Sequence, residues 1–180
     1  MANIPSAVLM VDFGQRITGG LAMNVENQRV TVEFVVLHDG VSAALRLDHG
    51  IAGWGILLRA LHDPMVGDEI HVGRIVGSRE TIDEAHKAGT VAAIQAIVHF
   101  RGQSTEDVRF ALRARAIQQA GGQGSFASVV EVVSGLGEVT DRMFVPVHGA
   151  EFLSADEALA TARDALRFVD GLTDQGKFIR

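Results

Sequence analysis

The chain has 180 residues, of which 47% are apolar, and a formal net charge of −6. That composition describes one folded domain over residues 1–180 and excludes a disordered or low-complexity chain. There is no cysteine, so disulfides, thiolate zinc sites, iron–sulfur clusters and a cysteine nucleophile are excluded. The acidic balance, without a basic stripe, argues against nucleic acid as a partner. No apolar run reaches the ~20 residues that span a bilayer. The N-terminus shows no basic segment followed by an apolar one, so no membrane partner and a cytoplasmic location are expected.

Val8–Val11 is a short apolar run that ends before Gly14 and reads as a first strand. Val30 to Leu37 is a second, with Val32, Phe34 and Val36 on one face and Thr31 and Glu33 on the other. Asp39-Gly40 supplies turn chemistry, and Ala43–Leu47 is its expected hairpin partner. From Gly50 to His62 the period changes. Ile51, Trp54, Leu58 and Leu61 recur at three- and four-residue steps, which predicts a helix. Gly50, Gly53 and Gly55 oppose it, at about 1 kcal/mol each relative to Ala. A helix keeps such glycines when something approaches its backbone closely, a neighbouring element or a ligand.

Gly67-Asp68 is a turn and Ile70–Val76 a strand. Ser78–Lys87 is polar and reads as a short helix or a hairpin loop, broken by Gly89. Ala92, Ile94, Ala96, Val98 and Phe100 then alternate as a long strand; a helix over Thr81–Phe100 is the rival reading. Val108–Ile117 alternates again, with Arg109, Arg113 and Arg115 on its polar face. Gly121-Gly122 and Gly124 form a turn. Phe126–Val133 and Met143–Val147 flank the Gly135-Leu136-Gly137 loop as two more strands. Ser154 and Glu157 form a capping box that opens a helix running to about Asp170. Its apolar stripe is Ala155, Ala158, Leu159, Ala162, Leu166 and Val169, and Gly171 is its expected C′ residue. The fold class is therefore α+β: a mainly antiparallel, curved sheet with a central glycine-bearing helix and a C-terminal amphipathic helix.

Seven histidines are present, without a His-x-His, His-x-x-x-His or His-Glu-x-x-His spacing. His62, Asp63, Asp68 and His71 are near in sequence but match no ligand pattern. No metal and no cofactor are expected, and the histidines read as solvated or hydrogen-bonded imidazoles. Nucleophile-elbow, P-loop and dinucleotide fingerprints are all missing.

Asp48-His49-Gly50 ahead of the predicted helix, followed by Gly67-Asp68 and a strand, resembles the hotdog superfamily of acyl-thioester hydrolases and dehydratases. The resemblance spans about residues 30–118. It implies a His-Gly step that opens a central helix, whose backbone N–H groups polarise a thioester carbonyl. It makes His49, Asp48 and Asp63 catalytic candidates and Gly50, Gly53 and Trp54 ligand-binding candidates. The segment departs from that family in having no carboxylate on the predicted helix, Asp63 just beyond it being the nearest substitute. Two functions follow. One is a small-molecule-binding or assembly protein, homo-oligomeric, with a small apolar or acyl ligand. The alternative is a hotdog-like enzyme that hydrolyses or hydrates an acyl thioester.

Overall fold

The computed structural model describes residues 30–67, 69–119, 124–145 and 151–179. Strands β1 (Thr31–His38), β2 (Val41–Gly50), β3 (Gly53–His62) and β4 (Glu69–Arg79) form an antiparallel meander. Helix α1 (Ile82–Arg101) crosses over to β5 (Phe110–Gln118), which pairs with β1. Strands β6 (Phe126–Ser134) and β7 (Val139–Val145) continue the meander, and helix α2 (Ala155–Ala165) follows. The seven strands make one sheet in the order β4-β3-β2-β1-β5-β6-β7. The expected class, α+β with a mainly antiparallel sheet and a C-terminal helix, is what is found. The Val8–Val11 strand, the Gly121-Gly122 turn, Asp68 and Pro146-Val147 lie outside the described residues.

Alternation sorts the strand residues onto two faces. Val32, Phe34, Val36, Ala43, Leu45, Leu47, Trp54, Ile56 and Leu58 bury one face against α1. Val35, Ala114, Ala116, Val130 and Val132 bury the other against α2. The two helices are offset across the sheet. Helix α1 packs on β1 to β4, whereas α2 packs mainly on β5 and β6. Among the described residues, α1 therefore covers its face of β5 to β7 only along the margin, and the candidate site lies there.

Two predicted elements are corrected. Gly50–His62 is not a helix. Gly50 ends β2, Ile51 and Ala52 make a two-residue turn, and Gly53–His62 is strand β3. A bulge explains the misleading period. Ala60 pairs with Ala44 and Leu58 with Leu45, so Arg59 is an extra residue in the ladder. Trp54 and Leu58 are two strand repeats apart, and the bulge returns Leu61 to the same core. Steps of four and three residues thus arise in a strand. Gly53 has φ of +96°, and a Cβ there would stand 2.4 Å from the carbonyl oxygen of Arg79. The close approach at this glycine is made by β4, not by a ligand.

Residues 92–100 belong to α1 and not to a strand, as the rival reading had it. Its buried residues come in pairs four apart: Ala85 and His86, Gly89 and Thr90, Ala93 and Ile94, Ile97 and Val98. Thr81 and Glu84 form a capping box, and Gly102 closes the helix in the left-handed conformation. Gly89 does not break the helix. A Cβ on it would meet Phe34 at 3.0 Å, Leu45 at 3.2 Å and Ile56 at 3.3 Å. Its lack of a side chain lets α1 settle onto the sheet.

Helix α2 starts where predicted, with the Ser154 hydroxyl accepting from the Glu157 N–H. It tightens into a 3-10 turn at Leu166–Phe168 and stops short of Asp170, and Gly171 is not left-handed. The reason is tertiary. The chain turns back so that Leu172 bridges Phe178, whose ring is buried in the α2 core.

Candidate ligand site over the β5–β7 arginine row

The candidates expected around a helix opening at Gly50 lie instead along the β2–β3 hairpin, and the structure separates them. Asp48 and His49 are neighbours in β2 and point to opposite faces. Asp48 accepts from Thr31 Oγ1 at 2.7 Å and Arg46 Nε at 2.9 Å. His49 is exposed and lies against the buried Trp54, with ring centroids 4.9 Å apart. Gly50 and Gly53 are paired across the turn. Asp63 follows the far end of β3, about 30 Å along the strand from Trp54 at ~3.3 Å per residue. There it is buried, accepts from the Met65 N–H at 2.9 Å and pairs with Arg101 Nη1 at 3.1 Å. That pair ties the β3–β4 connection to the C-terminus of α1. No helix begins at Gly50, so the helix N-terminus on which acyl-thioester chemistry was expected is a hairpin turn. A wide groove of about 780 Å³ between α1 and β4 passes Ala52 but is lined by none of these six residues.

The structure instead gathers charge on the α1 face of β5 to β7, beside the start of α1. Register puts Arg113 of β5 opposite Glu131 of β6, and Glu131 opposite Arg142 of β7. A cross-strand row Arg–Glu–Arg results, because all three side chains share one face of the pleat. Arg115, two residues along β5, reaches the same carboxylate diagonally. Glu131 is fully buried. Its Oε2 accepts from Arg113 Nε at 2.8 Å and is 2.7 Å from Arg113 Nη2. Its Oε1 accepts from Arg115 Nη2 at 3.0 Å and from Arg142 Nε at 2.9 Å. Helix α1 joins the row through Thr90, whose hydroxyl accepts from Arg113 Nη1 at 2.9 Å and donates to the His86 carbonyl at 2.7 Å.

His86 lies beside this row and is 2% exposed, its ring 4.8 Å from that of Phe34. Among the described residues neither ring nitrogen has a hydrogen-bond partner, and neither does Arg115 Nε. His86, Arg113 and Arg115 line the floor of a cleft of about 390 Å³, with those atoms buried beneath its surface. Its walls are the first turns of α1 (Asp83, Glu84, Lys87) and the β6–β7 turn (Gly137, Glu138, Val139), with Arg142 at the edge. Lys87 and Glu138 pair across it.

The electrostatics follow from burial and crowding. Burial alone raises the Glu131 carboxyl, but Arg113, Arg115 and Arg142 outweigh it and hold the group below the ordinary carboxylate range. Burial lowers Arg115, and Arg113 and Arg142 add to that, while Glu131 opposes it. Burial, with Arg115 and Arg113 beside it, pushes His86 well below the ordinary imidazole range, so the ring is neutral near pH 7. One carboxylate is shared by three guanidiniums, which leaves two positive charges in surplus in the cluster itself.

The strand-face reading of Arg113 and Arg115 holds in the structure. Glu131, His86 and Thr90 were not singled out by the sequence. A solvated or hydrogen-bonded imidazole does not describe His86, which is buried and has no hydrogen-bond partner among the described residues. Glu131 does carry a signal: it is a lone carboxylate inside Val129-Val130-Glu131-Val132-Val133, where burial demands a cation. Among the described residues no group of three or more His, Asp or Glu side chains stands close enough to hold a metal ion. Among them, no helix is long and apolar enough to cross a membrane. In comparisons with known proteins, no family model, no curated protein and no solved structure matches this chain.

Proposed function

We propose that this chain is a small-molecule-binding protein whose ligand sits in the cleft above Glu131, between the start of α1 and the β6–β7 turn. The observation that carries this is a set of buried polar atoms without partners among the described residues, His86 Nδ1 and Nε2 and Arg115 Nε, on two residues that line a cavity of ligand size. Buried polar groups left unpaired cost about 1–3 kcal/mol each, and a ligand that pairs them recovers that cost. Preorganisation supports the reading, since Glu131 fixes three arginines at once. A non-catalytic role fits better than acyl-thioester chemistry, because the groups expected to perform that chemistry are spread along β2 and β3.

Native mass spectrometry of the protein as isolated from the expressing cells tests this. A bound small molecule is expected on the wild type and is lost in Val139→Trp, which fills the cleft from its half-exposed rim. A ligand-free wild type, or an adduct that persists in the variant, contradicts it. Self-association is the other half of the reading. It is supported by the edge strand β4, where Ile70, Val72 and Ile75 are exposed. Sedimentation equilibrium should show a dimer or larger species, and a monomer at all concentrations removes that half.

A further inference from the structure

We infer that the ligand of this cleft presents an oxyanion, a carboxylate or a phosphate group, to Arg115 and His86. The inference rests on the ligand-binding reading above and names the chemistry of its ligand. Three features of the floor point the same way. The atom of Arg115 left without a partner among the described residues is Nε, buried at the base of the cleft; it can only donate, and an oxygen acceptor is what satisfies it. The surplus of guanidinium over carboxylate in the row is unmatched by any other buried anion, since Glu131 is the one buried carboxylate on this face among the described residues. An incoming oxyanion makes charge-assisted hydrogen bonds there, roughly twice as strong as neutral ones. His86 carries one ring N–H in its neutral form and gives the second donor to the same group.

The rim sets the limit on charge. Asp83 and Glu84 stand exposed at the first turn of α1, and the Lys87–Glu138 pair is self-balanced. Two carboxylates at the mouth repel a highly charged anion and admit one whose negative charge is confined to the end that enters. The expected occupant is thus a small molecule with a single oxyanion group at its leading end.

Titration of the full chain by ¹H–¹⁵N NMR, observing the arginine Nε–H signals at constant ionic strength, tests this. The probes are potassium acetate, potassium phosphate and, as the neutral isostere, acetamide. The Arg115 Nε–H signal should move saturably with at least one of the two salts, and acetamide should bind at least tenfold more weakly. Acetate ahead of phosphate assigns the group as a carboxylate; the reverse assigns a phosphate. Arg115→Lys keeps the charge but removes Nε, and should weaken binding about tenfold as read from backbone amides around the cleft. Arg142→Gln, at a side chain 41% exposed, leaves the fold intact, lowers the surplus charge, and should weaken both salts several-fold. Equal saturable binding of acetamide overturns the oxyanion while leaving the ligand reading standing. Absence of saturation with all three probes overturns the oxyanion, and the bound small molecule sought by native mass spectrometry decides the ligand reading separately.

Discussion

Glu131 and His86 carry opposite burdens of burial. Glu131 is buried and paired three times over. Removing its charge leaves Arg113 and Arg115 buried without an anion, a situation that costs about 3–5 kcal/mol. Glu131→Gln should lower stability by that amount in urea unfolding, and a loss below about 1 kcal/mol contradicts the pairing. His86 is buried and unpaired, and its consequence is pH dependence. The ordinary imidazole value is 6.5, and burial with Arg115 and Arg113 holds the folded value well below it. Below about pH 6.5 the unfolded chain takes up a proton that the folded chain refuses. Stability is therefore full above that pH and falls as the pH drops toward the folded value. Glu131, also depressed, adds a second loss that begins near 4.5 and deepens on further acidification. Urea midpoints between about pH 7.5 and pH 5 should fall in the wild type and change less in His86→Leu. Parallel profiles would remove His86 as the source.

At the scale of elements, the sequence and the structure part at two places for the same reason. Period is read along the chain, whereas burial is decided across it. In β3 the bulge at Arg59 turned a strand's alternation into steps of four and three. In α1 two adjacent columns of buried residues, filled by alanine and glycine as much as by Ile94 and Ile97, left an accidental alternation at 92–100. The capping signal that identified α2, Ser154 with Glu157, is present again as Thr81 with Glu84 and marks the start of α1. A glycine does survive in a helix where a neighbour approaches closely, at Gly89 and not at residues 50–55. Gly89→Ala gains about 1 kcal/mol of helix propensity and meets Phe34, Leu45 and Ile56, which are at most 1% exposed and have no room to yield. Overpacking of this kind costs about 1–3 kcal/mol, so a net destabilisation is expected by denaturant titration. An increase in stability would show that the helix seat is looser than these distances imply. At the other end of α1, Asp63→Ala removes one partner of Arg101, which keeps the Asp39 carbonyl at 3.1 Å, and should cost about 1.5–3 kcal/mol, the value of a hydrogen bond to a charged group. No loss there would return Asp63 to the list of functional candidates.

For the whole molecule, the fold class was legible because alternation survives along β2 and the first halves of β1 and β5, while β6 reads as an apolar run buried on both faces. The arginine face of β5 was legible for the same reason. The site was not, because it depends on which strands become neighbours. Arg113, Glu131 and Arg142 lie on three strands, and no local pattern announces that they share a row. His86 comes from a helix that must first be placed. The offset of α1 and α2 on opposite faces then decides where the cleft forms beside the row. The thermal unfolding midpoint, measured after exhaustive dialysis and again with the low-molecular-weight fraction of a cell extract added back, tests the resulting account most directly. Ligand bound to the folded state raises the midpoint by mass action. The account predicts a rise in the wild type and none in Val139→Trp. The same midpoint with and without the extract, or an equal rise in both proteins, would contradict a ligand in the Glu131 cleft.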